Sequence, residues 1–297
     1  MNKLLVTIAT LALFGCGQSA DTPAPIEAVK EMAAEVSGAA ELAAVLASQP
    51  EDVQARYVYR HPQETLEFFG VEPGTVVVEA LPGGGWYSKI LLPYLGEDGV
   101  LIGADYARDM YANFDFASEA FLERKKTWVA DWTAEAAGWV DDDGAQVEAF
   151  VFGSLPQEMH GSADTVLLIR ALHNLARFEE SGGYLTSALQ DSYNILRSGG
   201  IVGVVQHEAR EDMPDDWANG SNGYLKKAFV IDKMESVGFE YLGSSDINNN
   251  DLDQPTTEDM VWRLPPSLGT SADDEALRAK MLAIGESNRM TLKFRKP

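Results

Sequence analysis

The 297 residues suffice for one large mixed domain with small additions but would leave two equal domains thin, and a hydrophobic content of 45% allows a full core. The formal net charge of -23, from 46 acidic against 23 basic residues scattered along the chain, repels phosphate backbones and argues against nucleic acid as a partner. The simplest role of that acidity is solubility.

At the N-terminus, Lys3 supplies a small positive start and Leu4 to Phe14 an apolar run of eleven. Such a run is too short to span a bilayer but suits a secretory leader. It ends in Leu13-Phe14-Gly15-Cys16, with Cys16 the sole cysteine. This resembles a bacterial lipobox, although Phe14 is a less usual occupant of its position. The resemblance implies that Cys16 is lipidated and becomes the new N-terminus, and Gly17 in place of an aspartate implies the outer membrane. The expectation is a signal peptide over 1–16, with the rest of the chain on the periplasmic side and touching the membrane through the lipid alone. An uncleaved anchor, or a start at Met32, is the rival reading, and an unprocessed N-terminus would leave the protein cytoplasmic.

Gly17 to Pro25 is small, polar and proline-bearing, as a tether is. Ile26 to Ala47 is alanine-rich with apolar residues interspersed, and predicts a helix broken near Ser37-Gly38. Tether and helix together occupy 17–49 and the main domain 50–297. Asp52 to Phe69 reads as helical around Arg56 to Tyr59, with a new helix after His61 and Pro62 in its first turn. Strands are predicted at Thr75–Glu79, Val100–Asp105, Val147–Phe152, Thr165–Arg170 and Ile201–Gln206. Helices lie between them at Tyr87–Leu95, Asp109–Lys125 and Tyr184–Leu196, the last closed by Ser198-Gly199-Gly200. A helix at Ala228–Val237 stopped by Gly238, a strand at Glu240–Gly243, a long polar loop, a helix near Asp274–Ile284 and a strand at Met290–Phe294 complete the chain. This alternation predicts an α/β, Rossmann-like, mostly parallel sheet with helices on both faces, plus a late antiparallel pair at its edge.

The most informative stretch is TVVVEALPGGGWYSKIL, Thr75 to Leu91. Strand, glycine turn and helix bring backbone N–H groups close to a nucleotide-like ligand. Twenty residues beyond Gly85, Asp105 ends the second strand; a carboxylate there can accept from both hydroxyls of a ribose, or cap the next helix. A dinucleotide fingerprint would require G-x-G-x-x-G, which PGGGWYSK lacks, and Trp86 and Tyr87 would crowd a pyrophosphate. An adenosine-type cofactor without phosphates fits better.

With these residues the chain resembles class I S-adenosylmethionine-dependent methyltransferases, and more closely a bacterial group of predicted methyltransferases. The markers are YRHPQETLEFFGVEPG, VEALPGGGWYSKIL, IRALHNL, GGIVGVVQHEAR, GYLKKAFVIDKMESVGF, VWRLPP and LKFRKP, spread over about Arg56 to Pro297. The resemblance implies a seven-stranded sheet with an antiparallel last strand and S-adenosylmethionine as cofactor. It carries over Glu79 with Gly83, Gly84 and Gly85 as the methionine-and-adenosine loop, and Asp105 as the ribose acid. Two departures stand out. Leu81 occupies the family's first glycine, where a side chain could narrow the pocket. Gly153-Ser154 replaces Gly-Asp at the adenine position, with Asp131 as a possible substitute.

Acceptor chemistry is expected at the carboxyl ends of the fourth and fifth strands. The fourth supplies Arg170, counted on the cofactor side, with His173 and Asn174; the fifth supplies Gln206, His207 and Glu208. Methyl transfer needs proximity and, for a hydroxyl, amine or thiol acceptor, a base, which His173 or His207 could provide unless they only pack or cap. No metal is expected, since Glu158-x-His160 and His207-Glu208 lack a ligand set with recognisable spacing. There is no G-x-S-x-G elbow for serine hydrolysis. The competing readings are an enzyme acting on a small-molecule or envelope acceptor, a non-catalytic ligand-binding lipoprotein that keeps the fold, and an adenosine-recognising oxidoreductase disfavoured by the missing fingerprint. Neither the acceptor nor the oligomeric state can be read from the sequence.

Overall fold

The computed structural model describes residues 38–297 except 142 and 143. The leader, Cys16 and the tether lie outside the described residues. The strands are β1 (Val76–Ala80), β2 (Val100–Asp105), β3 (Gln146–Val151), β4 (Ala163–Ile169), β5 (Leu196–Ala209), β6 (Leu225–Lys226), β7 (Glu240–Ser245) and β8 (Arg289–Arg295). They form one sheet in the order β3-β2-β1-β4-β5-β8-β7, with the two-residue β6 paired to β5 off this path. Only β8 runs against its neighbours, slotting antiparallel between β5 and β7. The expected Rossmann-like α/β architecture with an antiparallel last strand is therefore the architecture observed.

The sheet is buried on both faces because its strands are apolar at successive positions rather than alternate ones. Val77, Leu101, Leu167 and Val205 point into one core layer, shared with Leu66, Phe69, Ile90 and Leu91 from the helices Pro62–Phe69 and Ser88–Leu95. Val78, Ile102, Val166 and Val204 point into the other, shared with Leu185, Leu189, Val230 and Met234 from the helices Tyr184–Ile195 and Lys227–Val237. Gly103 in β2 is a close-approach glycine: a Cβ there would lie 2.5 Å from the ring of Trp132.

Several details depart from the sequence expectation. The helical segment 38–48 buries Leu42 and Leu46 in the first layer, so the compact unit begins at Gly38 and the boundary placed at 50 falls inside it. The stretch expected as one helix over Asp109–Lys125 is a 3₁₀ turn, Arg108–Asn113, followed by a helix, Glu119–Lys125. Phe114 is extended and buried between them, and Ser118 caps the second piece by accepting from the Phe121 N–H at 3.3 Å. A further helix, Trp128–Ala137, precedes β3 and had no counterpart in the sequence reading. Ser198-Gly199-Gly200 does not stop a helix. It lies inside β5, where the Gly199 N–H donates to Lys296 O at 2.8 Å and the Lys296 N–H to Gly200 O at 2.9 Å, so the end of the chain recruits those glycines into the sheet.

Candidate functional site

The strand order reverses between β1 and β4, and in open α/β sheets ligands bind in the crevice outside the carboxyl ends at such a point. The residue after β1 is Leu81, φ 56°, and the residue after β4 is Arg170, φ 57°. Left-handed backbone costs a side-chain-bearing residue roughly 1–2 kcal/mol, and it persists where the surroundings enforce it, often at functional sites. Each residue makes one last ladder bond, Leu81 N–H to Ala104 O at 2.7 Å and Arg170 N–H to Val205 O at 2.6 Å, before the chain turns. Leu81 thus adopts a conformation that favours glycine, and the residue lines the adjoining cavity.

On the β1–β3 side, Glu79 is buried, and the Ser88 hydroxyl donates to its Oε2 at 2.5 Å. Burial pushes its carboxyl up to about 7, opposed by the Ser88 bond and by the Arg170 charge. Gly83 and Gly84 are exposed, and a Cβ at Gly84 would meet nothing within 4 Å. Gly85, at φ 75°, has the Trp139 indole so close that a Cβ would lie 2.4 Å from it, so only glycine fits. Asp105 ends β2 as expected, yet both its oxygens are already engaged: Tyr111 donates to Oδ1 at 2.6 Å and Lys125 to Oδ2 at 2.8 Å. Gly153 and Ser154 follow β3 and line a cavity of about 360 Å³ together with Ala107 and Phe152. The Gly153 N–H donates to Asp191 at 2.6 Å. Asp131 sits exposed on the helix Trp128–Ala137, accepting from Thr127 at 2.7 Å, and does not line that cavity.

On the β4–β5–β8 side a second cavity, of about 270 Å³, brings together Arg170, His173, Asn174 and His207. Its outer wall comes from the segment Val261 to Ser267, and Ser287 adds a hydroxyl. The two imidazoles lie 5.6 Å apart between ring centroids, and His173 is 5.9 Å from the Trp262 ring. His207 Nδ1 is hydrogen-bonded to Ser287 Oγ at 2.6 Å, while His173 Nδ1 is buried with no partner among the described residues. Burial, then the neighbouring Arg170 charge, depresses His173 to about 4; burial, then His173 and Arg170, hold His207 well below its usual value. Both are therefore neutral near pH 7. Each offers a lone pair, but a proton taken up by His173 is disfavoured by Arg170, which makes it a weak base as the site stands. Asn174 donates to Tyr106 Oη at 3.0 Å.

The other candidates lie elsewhere. Gln206 donates to Gly223 O at 2.9 Å in the fold interior, and Glu208 pairs with Lys227 at 3.4 Å. Glu158 and His160 are exposed around a 3₁₀ turn. Among the described residues no three His, Cys, Asp or Glu are grouped to hold a metal.

Sequence reasoning missed the charge cluster behind the second cavity. Glu286, itself a lining residue, accepts from Arg56 Nε at 2.8 Å, Arg60 Nε at 3.3 Å and Arg289 Nη1 at 3.3 Å. Arg60 is also 4.4 Å from the Trp86 ring centroid. Arg60 and Trp262 fall inside YRHPQETLEFFGVEPG and VWRLPP, stretches that carry the family likeness without pointing to a role. The local pair Glu286 and Arg289 is not distinctive by itself, because the Arg56 and Arg60 side chains that complete the cluster are about 230 residues away.

No protein-family model matches the chain, and no curated protein matches it. Solved structures similar to it include an S-adenosylmethionine-dependent methyltransferase from Aquifex aeolicus, 15% identical over 67% of this chain and 93% of that one, with a TM-score of 0.44. Another is an arsenic(III) S-adenosylmethionine methyltransferase from Chlamydomonas reinhardtii, 16% identical over 86% and 73%, TM-score 0.43. A third is the geranyl diphosphate C-methyltransferase of Streptomyces coelicolor A3(2), solved with Mg2+, geranyl diphosphate and S-adenosyl-L-homocysteine, 13% identical over 84% and 88%, TM-score 0.47.

Proposed function

We propose that the chain is an S-adenosylmethionine-dependent methyltransferase acting on a small-molecule or envelope acceptor. The observation that carries this reading is the switch point itself: the glycine loop, the buried Glu79 and Asp105 stand over β1 and β2, while a separate cavity opens over β4 and β5. The residues fit such a cofactor. Glu79 and the loop from Gly83 to Gly85 would hold its methionine and adenosine portions, Asp105 the ribose, and the cavity at Gly153 and Ser154 the adenine edge. Asp105 shares its carboxylate with Tyr111 and Lys125, but each oxygen can accept twice, so capacity remains for a diol.

When bound, the cofactor supplies a methyl group on a sulfonium. The protein's part is to bring the acceptor's nucleophilic atom into line and keep water out, with Asn174 and the neutral His173 as the polar groups facing it. His173→Ala should lower turnover by roughly 10²–10⁴-fold with cofactor affinity nearly unchanged if His173 takes the acceptor proton. Full activity in that variant would leave positioning as the main device. Calorimetry with S-adenosylmethionine and S-adenosylhomocysteine tests the cofactor, and failure of both to bind would overturn the reading.

The engaged Asp105 carboxylate favours a second reading, a ligand-binding protein that keeps the fold without turnover. A turnover assay on protein that binds the cofactor separates the two. We further propose that Cys16 carries lipid and holds the domain on the periplasmic side of the envelope, with 1–16 as its signal and the residues after it, up to the compact unit that begins at Gly38, as its tether. That compartment does not make S-adenosylmethionine. Radiolabelled fatty acid should enter the parent protein and not Cys16→Ser; absence of label in the parent would return the domain to the cytoplasm.

A further inference from the structure

The second cavity holds more positive charge than the protein around it neutralises. Arg56, Arg60 and Arg289 all pair with one carboxylate, that of Glu286. Arg170 reaches the same cavity and forms no ion pair or side-chain hydrogen bond with any described residue. Arg60 and Arg289 are almost fully buried, and the negative charges that bear on Arg170 include those of Glu286 and Glu79. Arg170 is half-buried, and a guanidinium partly withdrawn from water without an ion-pair partner is held at a cost, which is greater beside three others. Strained backbone at Arg170 adds to it, so the surroundings hold the fork in place at a cost to stability.

The rest of the lining combines apolar residues, Ile169, Trp262, Leu264 and Pro265, with neutral polar groups from Asn174, Ser287 and the two uncharged histidines. At about 270 Å³ it suits a small molecule and not a polymer. A planar guanidinium presents paired donors that match an oxyanion bidentately.

Resting on the methyltransferase reading for the acceptor's role, we infer that this cavity binds a small acceptor with an apolar body and an oxyanionic group, carboxylate or phosphate, received by Arg170. Glu286 positions Arg56, Arg60 and Arg289 behind it, so that the anion meets a fixed positive wall. The acid-rich exterior repels such ligands, and selectivity then comes from the pocket and not from long-range attraction.

The test uses the full chain and four probes in calorimetry: benzoate, its neutral isostere benzamide, S-adenosylhomocysteine, and methylthioadenosine, which lacks the amino-acid carboxylate. Benzoate should bind and benzamide should not. Arg170→Gln should weaken benzoate about tenfold or more while leaving S-adenosylhomocysteine unchanged. Arg170→Lys, which keeps the charge but loses the fork, should recover part of the affinity, and thermal melting establishes that both variants are folded. Inorganic phosphate competing with benzoate would assign a phosphate-type acceptor; no competition assigns a carboxylate. Equal binding of benzoate and benzamide, or benzoate affinity unmoved in Arg170→Gln, would overturn the inference. So would a loss confined to S-adenosylhomocysteine with methylthioadenosine unaffected, since Arg170 would then serve the cofactor's carboxylate. If benzoate binds through Arg170 while neither nucleoside binds, the anion site stands and the methyltransferase reading falls.

Discussion

The two halves of the crevice are built on different principles. Over β1 and β2, Glu79, the glycine loop and Ser88 come from ten consecutive residues, and Asp105 sits at the end of the next strand. Over β4, β5 and β8, Arg56, Arg60, Arg170, Glu286 and Arg289 come from both ends and the middle of the chain. The first half is a local turn that presents its backbone at the strand ends; the second is a charge cluster that exists only once β8 has closed beside β5. A contiguous loop can be recognised as a string of letters. A cluster assembled across the fold leaves no such string, and its energetics are those of buried charge.

Breaking the second half should have the largest effect. Glu286→Gln strands three guanidiniums without their carboxylate, and the expected loss of stability is about 3–5 kcal/mol by chemical denaturation. A loss below about 1 kcal/mol would mean that the cluster is held by packing and not by charge.

The neutral His173 gives the next effect. Its folded value of about 4 lies below the ordinary 6.5, so the unfolded chain takes up the proton first as pH falls. The stability associated with His173 is present above pH 6.5 and is lost progressively as pH drops towards 4, by about 3 kcal/mol in all. Comparing denaturation of the parent with His173→Gln between pH 4 and 7 isolates it. Parallel pH curves would show that His173 does not sit in the desolvated, Arg170-facing position described.

In the first half, Asp105→Asn should cost about 1–3 kcal/mol of stability, because the Tyr111 and Lys125 donors lose a charged acceptor, and should weaken S-adenosylhomocysteine as well. Tyr111→Phe sharpens the point, since it frees a lone pair of Asp105 without removing the acid. Tighter nucleoside binding in that variant is expected if the carboxylate is shared, and calorimetry reads it directly. Weaker binding would mean that Tyr111 positions the acid.

The smallest effect is expected at Leu81→Gly. Relief of the left-handed backbone, roughly 1–2 kcal/mol, is offset by the lost side chain that packs at the crevice, and the net change should stay within about 1 kcal/mol. A larger loss would make Leu81 a packing residue and not merely one tolerated in left-handed backbone. If the leucine narrows the cofactor pocket, nucleoside affinity should rise in the variant.

The amino acids alone reveal the part of the fold that is governed by local pattern. Runs of β-branched and aliphatic residues, such as Val76 to Val78, separated by amphipathic stretches, predict a parallel sheet covered on both faces, and the glycine turn predicts where a ligand loop stands. Pro62 at a helix start and Gly238 at a helix stop were legible for the same reason. Segments whose conformation depends on distant neighbours were not. Ser198-Gly199-Gly200 reads as a helix stop until Lys296 pairs with it, and Asp109–Lys125 reads as one helix until the core draws in Phe114. The tertiary structure alone decided that Leu81 and Arg170 take left-handed backbone at neighbouring strand ends, that Asp105 shares its carboxylate, and that four arginines converge near one glutamate. Local propensity acts over a few residues, whereas burial of charge is set by which strand lies next to which, and for this chain that is fixed only when its last strand enters the sheet.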